Sequence, residues 1–221
     1  MKTVNYFYYF HALILESINF YYLHEKLTMK KLFLSLTFLV ITSLVLAQTT
    51  WNADPNHSRL AFTITHSGIS DITGSFDEFK AVIVSNQPDF SDAKISLTTE
   101  VASINTHVGK RDDHLRSADF FEVEKYPKMT FESRSIKKIA ENRYEVNGEL
   151  TLHGITKPLT VTMVYRGTNT KPDDKTAQTA GIQITGTLKR LDFGIGKTFP
   201  ELALSNEVEI KADGEFKRVN P

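Results

Sequence analysis

The chain of 221 residues is 41% hydrophobic and 24% charged, enough apolar material for one full core and too much for a disordered polymer. Its 26 basic groups balance 26 acidic ones, so no long-range field draws nucleic acid or an anionic surface. Cysteine is absent, which excludes disulfides, thiolate metal sites, a cysteine nucleophile and a lipidated amino-terminal cysteine.

In chain order, the first feature is a signal peptide over residues 29–47. Lys30 and Lys31 lead into the apolar run Leu32 to Leu46, which is shorter than the ~20 residues needed to span a bilayer. Val45 and Ala47 stand at minus three and minus one of a cut after Ala47. Residues 1–28 precede a complete signal, are rich in aromatic side chains, and read as an upstream extension from a start codon assigned too early. Cleavage leaves Gln48 to Pro221 with 22 basic and 24 acidic groups. The expected product is a periplasmic or secreted protein with no integral membrane segment.

From Gln48 onward the hydrophobic period is two almost everywhere, the mark of half-buried antiparallel strands. In "RLAFTITH" Leu60, Phe62, Ile64 and His66 share one face; in "VEIKADGEFK" Val208, Ile210, Ala212, Gly214 and Phe216 do. Similar runs near 72–84, 92–102, 129–139, 143–152, 158–166 and 180–190 bring the total to about eight strands. Phe76 and Phe79 have opposite parity, which predicts a bulge at Asp77 and Glu78. One connection is long. Between Thr106 and Lys128 the period of two is lost, Leu115, Ala118 and Phe121 recur every three residues, and Asp112 stands one helical turn before Arg116 as a pairing partner. This predicts a short helix. Eight up-and-down strands with one helical excursion favour an all-β, closed antiparallel barrel over a sandwich, because closure removes exposed edges.

A barrel of this size is either filled by side chains or keeps room for one small ligand. Gly148, Ala180, Gly186, Ala212 and Gly214 fall on the inward parity, and they fit both an open lumen and a tapering core. Strands of this length give a lumen about 25 Å tall. Arg190 shares parity with Ile184 and Leu188 and therefore needs a partner; Asp192 is the nearest carboxylate, and a ligand head group is the alternative. His66 is expected on the dry face. The cluster "RDDHLRSADFF" at 111–121 lacks a nucleophile, and His107 and His114 are seven apart rather than the usual four of a helical metal pair, so neither catalysis nor metal binding is expected there. A lid explains it better, with charges toward water and Leu115, Phe120 and Phe121 toward the lumen.

Four motifs carry a family resemblance: "DPNHSRLAFTITHSGISDITGSF" at 54–76, "INTHVGKRDDHLRSADFFEVEKYPKMTFES" at 104–133, "GELTLHGITKPL" at 148–159 and "RLDFGI" at 190–195. Together they resemble the YceI-like family of exported lipid-binding or polyisoprenoid-binding proteins over Trp51 to Phe216. Ala81 departs from the pattern, which often has Gly there, and residues 1–28 have no counterpart. The resemblance implies a lipocalin-like eight-stranded barrel that holds a long apolar chain, with no cofactor and no established catalytic activity. The candidate ligand-binding residues are Phe62, Ile64, His66 and Phe76 from the first two strands, and Leu97, Phe131, Ile184 and Gly186 from later ones. Arg111, His114, Leu115 and Phe121 come from the lid, and Arg190 and Phe193 from the last motif. The expected ligand is an isoprenoid or fatty-acyl lipid. An accessory protein that binds an isoprenoid quinone for electron transfer and an enzyme acting on the lipid head group are the competing readings, and a homodimer is an open expectation. Amino-terminal sequencing of the exported protein is expected to start at Gln48, with export unchanged by deletion of residues 1–28; a terminus upstream of Met29 contradicts this.

Overall fold

The alternation read from "RYEVNGELTL" is realised as a strand in which Tyr144, Val146, Gly148, Leu150 and Leu152 are buried and the residues between them are half-buried. A computed structural model describes residues 16, 20–26, 30 and 48–219. The chain divides into two units, Met1–Ala47 and Gln48–Pro221. In the first, residues 20–26 are helical; apart from Lys30, the expected signal segment lies outside the described residues. Among the described residues no helix is long and apolar enough to cross a membrane.

The second unit is built from β1 (Thr49–His66), β2 (Ser70–Phe76), β3 (Phe79–Ser85), β4 (Lys94–Glu100), β5 (Ile104–Asn105), α1 (Gly109–Arg116), β6 (Lys128–Ala140), β7 (Arg143–Leu152), β8 (Ile155–Thr170), β9 (Gln178–Lys189) and β10 (Leu204–Arg218). Short 3-10 turns at Val101–Ser103 and Arg190–Phe193 follow β4 and β9. β2 pairs with the second half of β1, from Leu60 opposite Phe76 to His66 opposite Ser70, and β3 pairs with its first half. The break between them is Asp77–Glu78, where the bulge is predicted; there Asp77 N donates to Ser103 O and Glu78 N to Ser103 Oγ. β2 and β3 thus form one bent strand. With β4 and β6 to β10 it makes an antiparallel ring, which the seam between β1 and β10 closes from Trp51 opposite Arg218 to His66 opposite Leu204. The fold is a closed eight-stranded barrel, and β5 adds two residues to the edge of β2.

The two ends of the barrel differ. At the end where β6 meets β7 the interior is solid: Tyr144, Val146 and Met163 are fully buried, Trp51 and Phe90 approach to 5.2 Å between ring centroids, and Phe90 and Tyr165 to 5.0 Å. The Tyr144 hydroxyl donates to Asp89 O at 2.6 Å. Each such side chain removed from water contributes roughly 1.5–3 kcal/mol, which lets the core hold without disulfides. At this end Asp54, almost fully buried, accepts from Lys217 Nζ at 2.7 Å, from His57 Nδ1 at 2.8 Å and from Asn56 N at 3.1 Å. The Lys217 bond first, then that of His57, holds its carboxyl far below the usual carboxylate range. This stabilisation is complete above the ordinary carboxylate pKa and is lost as pH falls through the depressed one. An open lumen over the full height is therefore not what forms.

The inward glycines show why. The Phe131 ring lies against Gly148, Ser58 lies against Gly214, and a Cβ on Gly186 would stand 2.8 Å from Val161 Cγ1. Each missing side chain is compensated by a neighbour on the next strand, so these residues fit the taper of a packed wall. Gly186, expected to face the ligand, faces Val161 instead. Gly186→Phe is accordingly expected to overpack, lowering the stability of lipid-free protein by about 1–3 kcal/mol in urea unfolding. Unchanged stability would show free space at that position.

Candidate functional site

The opposite end of the barrel is hollow. A cavity of about 270 Å³ opens at the mouth where β1 turns into β2, and a second of about 90 Å³ lies deeper. Leu60, Met129, Leu188 and Ile210 border both, so the two voids are successive chambers divided by these four side chains. Of the 23 residues that line the mouth chamber only His66, Thr106, Arg111, His114 and Arg190 are polar, and none is a carboxylate. Phe62 and Phe76, 5.7 Å apart between centroids, and Phe121, edge-on to Phe76 at 5.9 Å, make an aromatic wall.

The lid is α1 with the turns that follow it, and one threonine anchors it. The buried Asp112 Oδ1 accepts from Thr106 N at 2.8 Å and Thr106 Oγ1 at 2.5 Å. Arg111 donates from Nε to Thr106 Oγ1 at 2.7 Å and from Nη2 to Thr106 O at 2.8 Å. The expected pairing of Asp112 with Arg116 is therefore not made. Arg116 binds Asp113 Oδ1 at 3.1 Å and the carbonyls of Ala102 and Ile104, because Asp112 is turned inward to hold Thr106. The hydrogen-bonded chain Arg111–Thr106–Asp112 fastens the helix to the residue after β5, and Leu115 and Phe121 face the cavity as expected. His114 is exposed on the rim, with Nε2 3.1 Å from Asp119 Oδ2 and its ring edge-on to Phe120 at 5.0 Å.

Arg190 is 2% exposed and begins the 3-10 turn after β9. All five of its N–H groups are used. Nε donates to Ser205 O, Nη1 to Ile195 O and Gly196 O, and Nη2 to Phe199 O and Leu204 O, at 2.6–3.0 Å. The expected tie to Asp192 is absent: Asp192 is exposed, and the guanidinium is satisfied by backbone carbonyls. Burial lowers the Arg190 pKa from its usual value, with Glu201 opposing the shift. The cage shapes the 195–205 loop, which brings Ile195, Phe199, Ala203 and Leu204 to the cavity.

Nine of the fourteen sequence candidates meet at the mouth chamber: Phe62, Ile64, His66, Phe76, Arg111, His114, Leu115, Phe121 and Arg190. Leu97, Phe131 and Ile184 line the deeper chamber. Gly186 and Phe193 line neither; Phe193 is buried in its turn, where its carbonyl accepts from His153 Nδ1 at 2.9 Å. His66, expected on the dry face, is exposed at the rim with Nδ1 3.3 Å from Ser67 Oγ, because β1 ends there and the interior opens to solvent. Sequence reasoning missed the wall made by the 195–205 loop, which has no period of two; its signal was Phe199 and Ile195 set among Gly194 and Gly196, both with positive φ.

Among the described residues, Asp54, His57 and Glu215 are grouped closely enough to hold a metal ion. They lie at the solid end, and Lys217 Nζ already neutralises the one buried carboxylate. Among the described residues, those that line the mouth chamber include no carboxylate to complete such a set. Arg190→Met leaves five carbonyls without donors and is expected to cost about 3 kcal/mol or more in urea unfolding, with faster proteolysis in the 195–205 loop. Arg190→Lys should rescue only in part, since three ammonium donors cannot reach five acceptors. A loss below about 1 kcal/mol for the Met variant contradicts the role of the cage.

Comparison with known proteins agrees with this architecture. The family model described as the YceI-like domain matches residues 51–216. A UPF0312 protein of Staphylococcus aureus is 37% identical over 174 residues, covering 76% of this chain and 97% of that protein. The crystal structure of a Campylobacter jejuni YceI protein superposes with a TM-score of 0.64 at 29% identity, over 69% of this chain and 88% of that one. A polyisoprenoid-binding domain from Saccharophagus degradans, implicated in plant cell wall breakdown, shares the fold with a TM-score of 0.55 at 17% identity, over 77% and 98% of the two chains. With its barrel matched almost from the first strand to the last, the chain belongs to the YceI-like family.

Proposed function

We propose that the protein binds a long-chain lipid, an isoprenoid or a fatty-acyl molecule, in the mouth chamber, and carries or sequesters it in the periplasm or after secretion. The observation that carries this reading is the chamber itself: an apolar hollow of about 270 Å³ that opens at one end of the barrel and borders a smaller void of about 90 Å³ below it, with its few polar side chains on the rim, the lid and the turn after β9. Empty apolar space exposed to water is costly, and an apolar chain relieves that cost. At ~0.8 kcal/mol per buried CH₂, ten methylenes contribute about 8 kcal/mol gross, enough to offset association and ordering costs. The polyisoprenoid-binding domain of the same fold is consistent with such a ligand.

The wall is poorly equipped for chemistry on the ligand. It has no carboxylate, and the one hydroxyl, on Thr106, donates to Asp112 and accepts from Arg111. The one imidazole–carboxylate pair at the rim, His114 Nε2 with Asp119 Oδ2 at 3.1 Å, is exposed to water, and Asp119 does not line the chamber, so the general acid and base that head-group hydrolysis requires do not both face the ligand space. Binding without turnover is the reading these groups support. At the rim, Arg111 has Nη1 left for a polar head group after its two bonds to Thr106.

The division between the chambers supplies the test. Leu188 borders both voids, so Leu188→Trp would fill the passage between them. A fluorescent eighteen-carbon probe such as cis-parinaric acid is expected to bind at least about tenfold more weakly to this variant, while a medium-chain fatty acid that displaces the probe from the parent loses less. Fluorescence titration with a parallel thermal melt measures it. Unchanged probe affinity in a folded variant, or a reaction product appearing from bound lipid in the parent, contradicts the proposal.

A further inference from the structure

The two most exposed large apolar side chains of the barrel are Ile69, 88% exposed, and Leu202, 84% exposed, and both stand at the mouth. Ile69 lies in the turn between β1 and β2, Leu202 in the loop that enters β10. These loops are joined: Ser67 N donates to Ala203 O at 2.8 Å, and His66 opposes Leu204 in the seam. The two exposed aliphatic side chains therefore stand on joined loops beyond the last pairing of the barrel, close in sequence to His66, Ala203 and Leu204, which line the cavity. Val108, at the start of α1, adds a third apolar side chain at this end, 47% exposed.

We infer that the mouth docks on a lipid bilayer, with Ile69 and Leu202 inserting among the head groups so that ligand passes between membrane and cavity without crossing water. The inference rests on the lipid-binding reading above. Two or three isolated tips bury far less than the roughly 1,200 Å² that a specific protein partner requires. A bilayer interface, by contrast, accepts single apolar tips one by one. Continuity with the cavity gives the contact a purpose, since every methylene released into water instead lowers the escape rate about fourfold. Charge defines the kind of bilayer. Exposed Asp71, Asp113, Asp119 and Glu201 are balanced by exposed Lys110 and Lys197 with the half-buried Arg111 and Arg116 of α1, so attachment depends on apolar insertion and not on attraction to anionic lipid.

The test compares the parent with the Ile69→Ser, Leu202→Ser double variant, each purified as the producing cell processes it. Flotation with phosphatidylcholine vesicles, with and without phosphatidylglycerol, reads docking; loss of cis-parinaric acid fluorescence from the barrel on mixing with vesicles reads transfer. The parent should bind both vesicle types alike at low and high salt, with a transfer rate that rises with vesicle concentration. The double variant should lose at least about tenfold in both readouts while its melting temperature and its equilibrium affinity for the probe stay unchanged. Transfer independent of vesicle concentration, or unaffected by the two substitutions, overturns the inference. So does a dimer of the parent that dissociates in the variant, which would assign the tips to a second copy of the chain. Probe retained by a parent that does not float overturns docking alone; a parent that floats but retains no probe supports docking and sinks the lipid-binding reading.

Discussion

A buried guanidinium determines the shape of the mouth. Arg190 enters the interior at the end of β9, where no carboxylate meets it, and a charge so placed is stable only if every donor is satisfied. Five backbone carbonyls between Ile195 and Ser205 do this, and in return the loop that carries them must fold around a single point. Gly194 and Gly196, with φ of 72° and 61°, allow the chain to turn tightly enough to present those carbonyls. The loop's own turns, Phe199 N to Gly196 O and Ala203 N to Pro200 O, are local, and the guanidinium ties them together. Its apolar side chains, Ile195 and Phe199 among them, become a wall of the cavity because the cage leaves them no other direction.

The adjoining wall, whose Phe120 stacks on Phe199 at 4.9 Å, depends on a second polar knot, of Arg111, Thr106 and Asp112, which holds α1 over the barrel. Both knots consume their polar groups internally. What remains toward the chamber is hydrocarbon and aromatic ring, with His66, His114 and one arm of Arg111 at the edge. The far end is closed by Tyr144, Phe90 and Trp51, and there the seam carries the Asp54–Lys217 pair. One barrel thus has a filled base and a hollow top. A ligand that enters the top meets a chamber bounded below by Leu60, Met129, Leu188 and Ile210.

The strands were legible because half-burial imposes a period of two that the chain cannot hide, and the bulge was legible from the clash in parity between Phe76 and Phe79. The cavity wall on β1 and β2 followed from the same parity. What parity cannot supply is the partner of a polar residue. Asp192 was the nearest carboxylate to Arg190 in sequence, yet the chain turns after β9 and carbonyls from residues 195–205 arrive first. Asp112 and Gly186 failed for related reasons: the helix turned Asp112 in toward Thr106, and Val161 from the neighbouring strand took the space before Gly186. Local pattern specifies which face is inward, whereas register between strands decides what stands opposite.

The function proposed for this barrel requires that the mouth chamber be a lipid site. Native mass spectrometry of the protein isolated from its own cells, followed by solvent extraction, addresses this most directly. The account predicts a mass increment of one long-chain lipid per barrel, released on extraction and reduced in the Leu188→Trp variant. A barrel that arrives with no adduct, and takes up neither isoprenoid nor fatty-acyl lipid when these are supplied, would contradict it.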